Sequence, residues 1–199
     1  MKLSDNKIVK LYESGLSAKQ ISDYLDLSCF KVRRSLKLQS IPMRSQSNAS
    51  RMLHITKFGK KPYCLKSQLT QEEDHLRTAG IMLYWGEGTK SGNSVVFSNS
   101  DPQMIKLFLK FLRNICGVDN SRLRILLHLY HDQNEKQLKN FWSKITGISI
   151  NQFSKSYIHI AKGGNYKKIS EYGTVSLRYS DKELLNMLNN WIDGYRMPK

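Results

Sequence analysis

A single carboxylate, Glu87, stands between Gly86 and Gly88, and the mostly apolar run Gly80-Ile81-Met82-Leu83-Tyr84-Trp85 leads into it. The run reads as the end of a helix, and a basic Thr89-Lys90 follows. A helix C-terminus carries partial negative charge, so an acid there is disfavoured where a base would be expected. Helix stability therefore does not account for Glu87. Two roles do: coordination of a divalent cation, which takes carboxylate oxygens, or close approach of a second chain, which glycines permit.

The rest of the composition narrows the partner. Lys and Arg number 32 against 16 Asp and Glu in 199 residues, a formal charge of +16. Such an excess suits a polyanion, nucleic acid before an anionic membrane surface. From Leu27 to Gln71 there is no acid at all. No run approaches the ~18 apolar residues of a membrane span, and the N-terminus turns polar too early for a signal peptide. A cytoplasmic, nucleoid-associated protein with no targeting segment is expected. Cys29, Cys64 and Cys116 are widely spaced and form no C-x-x-C pair, which points to free thiols rather than a zinc site.

The elements that would position these residues fall into two groups. Residues 4–38 read as three short helices capped by Ser4, Ser17 and Ser28, with Gly15 ending the first and Asp26-Leu27 forming the second turn. Ile8, Tyr12, Ile21, Tyr24, Phe30, Val32 and Leu36 are expected inside. Lys31, Arg33, Arg34 and Lys37 are left outside on the third helix. The stretch 45–68, basic and rich in Ser, Asn and Gln with little periodicity, reads as a linker able to lie along phosphates. This gives a domain at 1–44, a linker at 45–68 and a second domain at 69–199.

In the second domain, helices are expected from Gln71 to Gly88, over Pro102–Ile115, over Gln133–Thr146 and from Asp181 to Ile192. Strands are expected at Ser94–Ser98, Arg122–Tyr130, Phe153–Ile160 and Thr174–Ser180, the last two joined by a basic loop containing Gly163-Gly164. Period-two alternation turns Leu123, Ile125, Leu127 and Leu129 to one side and Arg122, Arg124, Leu126, His128 and Tyr130 to the other. Lys155, Tyr157, His159, Thr174, Ser176 and Arg178 extend the polar side. The fold class is α+β: a three-helix unit, then a mostly antiparallel sheet with helices over one face and an acid-free, cationic other face.

The stretch from Ile8 to Leu25 with Leu27-Ser28 and Val32-Arg33-Arg34 resembles the helix-turn-helix of bacterial and phage DNA-binding proteins. That resemblance implies that Ser28, Lys31, Arg33, Arg34 and Lys37, with Cys29 beside them, lie near the major groove. Ile81-Met82-Leu83-Tyr84-Trp85-Gly86-Glu87-Gly88 resembles the motif helix of the LAGLIDADG homing endonucleases, in the variant ending Gly-Glu-Gly. Met82 departs from the small residue usual there, and Trp85 replaces an acid that many members carry. The helix over 133–146 also departs from the family's order of elements.

The resemblance implies that Glu87 binds Mg²⁺ or another divalent cation at a phosphodiester-cleavage site in double-stranded DNA. Beside it, Lys155, and behind that Lys90 and Arg178, would supply a cation for the developing charge, and Gln152 would position water. Arg122, Arg124, His128, Tyr157 and Arg178 would contact DNA from the sheet. Because one motif is present, the resemblance also implies a homodimer through the 76–88 helix. Two further readings accompany the endonuclease: a non-catalytic transcription regulator with a degenerate LAGLIDADG domain, and an RNA-splicing factor. The helix-turn-helix argues against the latter, since the major groove of A-form RNA is too narrow for side-chain readout.

Overall fold

Two serines do much of the local work in the N-terminal part of the computed structural model, which describes residues 2–59, 61–159 and 171–196. Ser17 opens α2 (Ala18–Leu25) with a reciprocal capping box, its hydroxyl accepting from the Gln20 amide while the Gln20 side chain accepts from the Ser17 amide. Ser28 opens α3 (Cys29–Leu38) by accepting from the Lys31 amide. Asp26, in the left-handed region at φ 51°, ends α2 and makes the turn between them. α1 spans Lys2–Glu13, so Ser4 lies within it instead of capping it.

The three helices close on Ile8, Tyr12, Ala18, Ile21, Val32 and Leu36. Tyr24 and Phe30, expected inside, are 67% and 72% exposed. The helical period explains Phe30: it precedes Val32 by two positions, about 200° around the helix, so burying Val32 and Leu36 turns Phe30 outward.

The expected linker is mostly structured. Ser45 caps α4 (Gln46–Phe58), and Gly59 ends it in the left-handed region at φ 65°. The stretch between them carries no Pro or Gly to break a helix, and its polar composition hid that. Farther on, the Cys64 amide donates to the Gly117 carbonyl and the Lys66 amide to the Ile115 carbonyl. The chain divides into compact units at Met1–Pro62 and Tyr63–Lys199.

In the second unit, Thr70 caps α5 (Gln71–Glu87) in a capping box with Glu73. The strands are β1 (Gly88–Thr89), β2 (Val95–Asn99), β3 (Arg124–Tyr130), β4 (Tyr157–His159) and β5 (Thr174–Tyr179). The helices are α6 (Pro102–Asn114), α7 (Glu135–Thr146) and α8 (Lys182–Asp193). The sheet order is β1-β2-β5-β3-β4, antiparallel except for the parallel β3·β4 pair. Residues 94, 122–123, 153–156 and 180, expected as strand, lie outside it. Arg122 belongs to a 3₁₀ turn at Asn120–Arg122, and Phe153 makes only an isolated bridge to Ile125. The Gly163-Gly164 loop lies outside the described residues.

One sheet face is core. Phe97, Ile125, Leu127, Leu129, Val175, Leu177 and Tyr179 are buried against Tyr84 of α5, Phe108 and Phe111 of α6, and Leu185 and Leu188 of α8. Gly80 lets α5 approach α6: a Cβ there would lie 2.2 Å from the Phe111 ring. Among the described residues no helix is long and apolar enough to cross a membrane.

Candidate nucleic-acid interface and carboxylate site

Glu87 is the last residue of α5 and is exposed, with no hydrogen-bond or ion-pair partner among the described residues. Its neighbours are held tightly. Tyr84 is fully buried and stacks on Phe108 at 5.6 Å between ring centroids, and its hydroxyl donates to the Thr89 carbonyl. Burial pushes the Tyr84 phenol up to about 12, so it stays a donor. Its ring also occupies the space beside Gly88, where a Cβ would lie 2.2 Å away. Gly88 is thus required by packing, whereas a Cβ on Gly86 would meet nothing within 4 Å.

Lys90 folds back on this helix end. Its ammonium donates to the Gly88 carbonyl at 2.6 Å, supplying the positive charge that a C-terminus favours. Of the expected catalytic cations, Lys90 is therefore brought close to Glu87 in the chain. Lys155 is not. It precedes β4, at the opposite edge of the sheet from β1, and its charge instead helps to hold the Glu135 carboxyl low, after hydrogen bonds from Lys139 and Ser156. Gln152 is also committed elsewhere, donating from its side-chain nitrogen to the carbonyls of Asn120 at 2.7 Å and Leu123 at 2.9 Å. It braces the turn before β3 and is remote from β1 in the sheet order.

The strand register defines the open face. Thr89 pairs with Val96, Val96 with Arg178, and Arg178 with Arg124, one row crossing four strands from the residue two beyond Glu87. Like charges directly opposed across a strand pair repel. The Arg124 guanidinium turns back to the carbonyls of Ser121 and Leu123, while the Arg178 side chain is exposed. The next row holds Ser98, Ser176 and Leu126, then Thr174, His128 and Tyr157. Ser98 and Ser176 hydroxyls lie 2.7 Å apart, and Ser176 lies 3.2 Å from His128 Nε2. Rings of His128, Tyr130, Tyr157 and His159 cluster at centroid distances of 4.7–5.8 Å. Partial burial, and then the neighbouring His159, hold the His128 imidazole below the usual histidine range. No acid stands on the strand positions of this face.

Arg122 is not on it. Its guanidinium lies over the ring of Tyr179, a core-side residue, at 5.0 Å and pairs with Asp181 at 3.6 Å, so it is a packing residue. Arg44, one of the ten cations in the acid-free stretch, is similarly occupied. It stacks on Tyr12 at 4.0 Å and donates to the carbonyls of Tyr12 and Leu16, closing the end of α1.

In the first unit, Lys31, Arg33, Arg34 and Lys37 are exposed along one arc of α3, and Phe30 lies on the same arc. The Ser28 hydroxyl is engaged as the cap, and Cys29 packs against the three-helix core. Phe30 is the member of this surface that reading for hydrophobicity alone misassigns, although the spacing to Val32 already carried the signal.

Among the described residues no group of three or more His, Cys, Asp or Glu side chains is placed to hold a metal ion, and Glu87 stands there without an ion-pair partner. Comparison of the chain with protein-family models, with curated proteins and with solved structures returned no match.

Proposed function

We propose that the protein binds double-stranded DNA and cleaves it as a metal-dependent, LAGLIDADG-type endonuclease. The observation carrying the reading is the Glu87 carboxylate, exposed and without a partner among the described residues at the end of α5, two residues before Thr89 in the strand row that holds Arg178 and Arg124. A carboxylate of this kind suits Mg²⁺, which takes one or two carboxylates and keeps several waters. A bound cation would activate water and offset charge developing on phosphate. In this chain Glu87 would ligate it, Lys90 would sit beside it, and Arg178 would hold the phosphate backbone. The helix-turn-helix would present the α3 cations to the duplex, phosphate contacts setting register.

A carboxylate with no metal-holding group beside it among the described residues also supports assembly. α5 turns His75, Ala79, Met82 and Gly86 away from the chain's own core, and Met82 and Trp85 are each 36% exposed. A symmetric dimer through this face would supply a second Glu87. The same observation favours the second reading, a DNA-binding regulator without cleavage.

A nicking and cleavage assay on a random-sequence duplex library with Mg²⁺ separates them. Cleavage that Glu87→Gln abolishes, with binding retained, is the expected result. Binding without cleavage by the parent protein establishes the regulator, and cleavage undiminished in Glu87→Gln removes Glu87 from the chemistry.

A further inference from the structure

We infer that Phe30 is a base-reading residue that selects thymine through its 5-methyl group. The inference rests on the proposed DNA-binding role of α3. Phe30 is the second residue of that helix, in its first turn, and 72% of its surface is exposed. The helix cannot rotate to bury it: Val32 and Leu36 are both fully buried, and the opposite rotation would drive Arg33, Arg34 and Lys37 into the core. The ring is therefore held outward by the register of the whole helix.

Single exposed apolar side chains are ordinary on protein surfaces. This one has particular company. On the helical net its neighbours are Arg33 and Arg34, at i+3 and i+4, with Lys37 a further turn along. α3 carries no acid. An apolar ring surrounded by cations suits neither an apolar protein groove nor an acidic peptide alone. It matches a DNA groove, where phosphates line the rims and the floor presents base edges. The first turn of a reading helix is the part that meets those edges. Lacking a hydrogen-bonding group, a phenyl ring cannot read donors or acceptors; the base-edge feature it can recognise is the thymine methyl.

Uracil is thymine without that methyl, so the test removes the contact from the DNA side. A duplex is first selected by the full-length protein from a random-sequence library, and each thymine is then replaced in turn by deoxyuridine. Wild-type protein should lose about three- to five-fold in affinity at one thymine of the half-site, the worth of roughly one buried methyl. Phe30→Ala should bind the parent duplex more weakly and show no loss at that same position, while Phe30→Leu keeps part of it. Equal sensitivity in wild type and Phe30→Ala, or none in wild type, overturns the role of Phe30 and leaves DNA binding standing. If no duplex is retained at all, the DNA-binding reading fails with it, and Phe30 becomes a protein-contact residue.

Discussion

At the scale of single residues, three glycines near the carboxylate stand in two kinds of surroundings, and only the folded chain tells them apart. Gly80 makes room for the Phe111 ring and Gly88 for the Tyr84 ring, while Gly86 faces open space. Gly80→Ala and Gly88→Ala should each lower stability by about 1–3 kcal/mol, because overpacking a filled core forces neighbours out of place. At position 80 this loss is partly offset by the helix propensity of alanine, up to ~1 kcal/mol. Gly86→Ala should leave the denaturation midpoint undiminished. Chemical denaturation of the three variants checks the ranking, and a Gly88→Ala as stable as wild type would contradict the packing around Tyr84. The motif Gly-Glu-Gly marks the place in the sequence, but a glycine kept for packing and one left open are spelled alike. Lys155 and Gln152 show the same limit. Proximity in a sheet depends on strand order, and β4 lies at the far edge from β1.

At the scale of elements, periodicity served where one face is buried and failed where none is. β3 alternates cleanly because one side enters the core, and the core-facing apolar sets of β3 and β5 are all buried, although Ser176 on the other side of β5 is buried as well. The start of α2 is legible because Ser17 caps it and Ile21 faces inward, although Tyr24 in the same helix turns outward. α4 was invisible to that signal: its only buried described side chain is His54. A short helix with so little burial depends on its own hydrogen bonds, and isolated helices of this length are marginal in water. Amides 49–58 should therefore exchange with deuterium far faster than those of Val175 and Leu177, on a strand paired along both sides. Equal protection measured by mass spectrometry would mean that α4 is held by more than is visible in its burial.

At the scale of the whole molecule, a charge of +16 is a statement about partners more than about fold. It was readable at once, and the structure redistributes it: Arg44 and Arg122 are spent on internal contacts, while the α3 cations and Arg178 remain outward. If two chains share the α5 face, sedimentation velocity at micromolar concentration should read a dimer. Met82→Arg, placing a charge on that face, should read a monomer with unchanged circular dichroism. A wild-type monomer that still cuts both strands would dispose of the symmetric arrangement. Strand order was not legible in the sequence, because it depends on contacts between residues far apart in it.

The tryptophans offer a consequence of a more practical kind. Trp142 is sealed in the core and donates to the Tyr172 carbonyl, and Trp191 packs against Phe111. Trp85 is partly exposed, two residues before Glu87 and on the helix proposed to meet its partner. The chain thus carries its own optical gauge, with two indoles in packed surroundings and a third exposed in the last turns of α5. Emission from Trp85 would follow pairing of chains along that helix without any attached label.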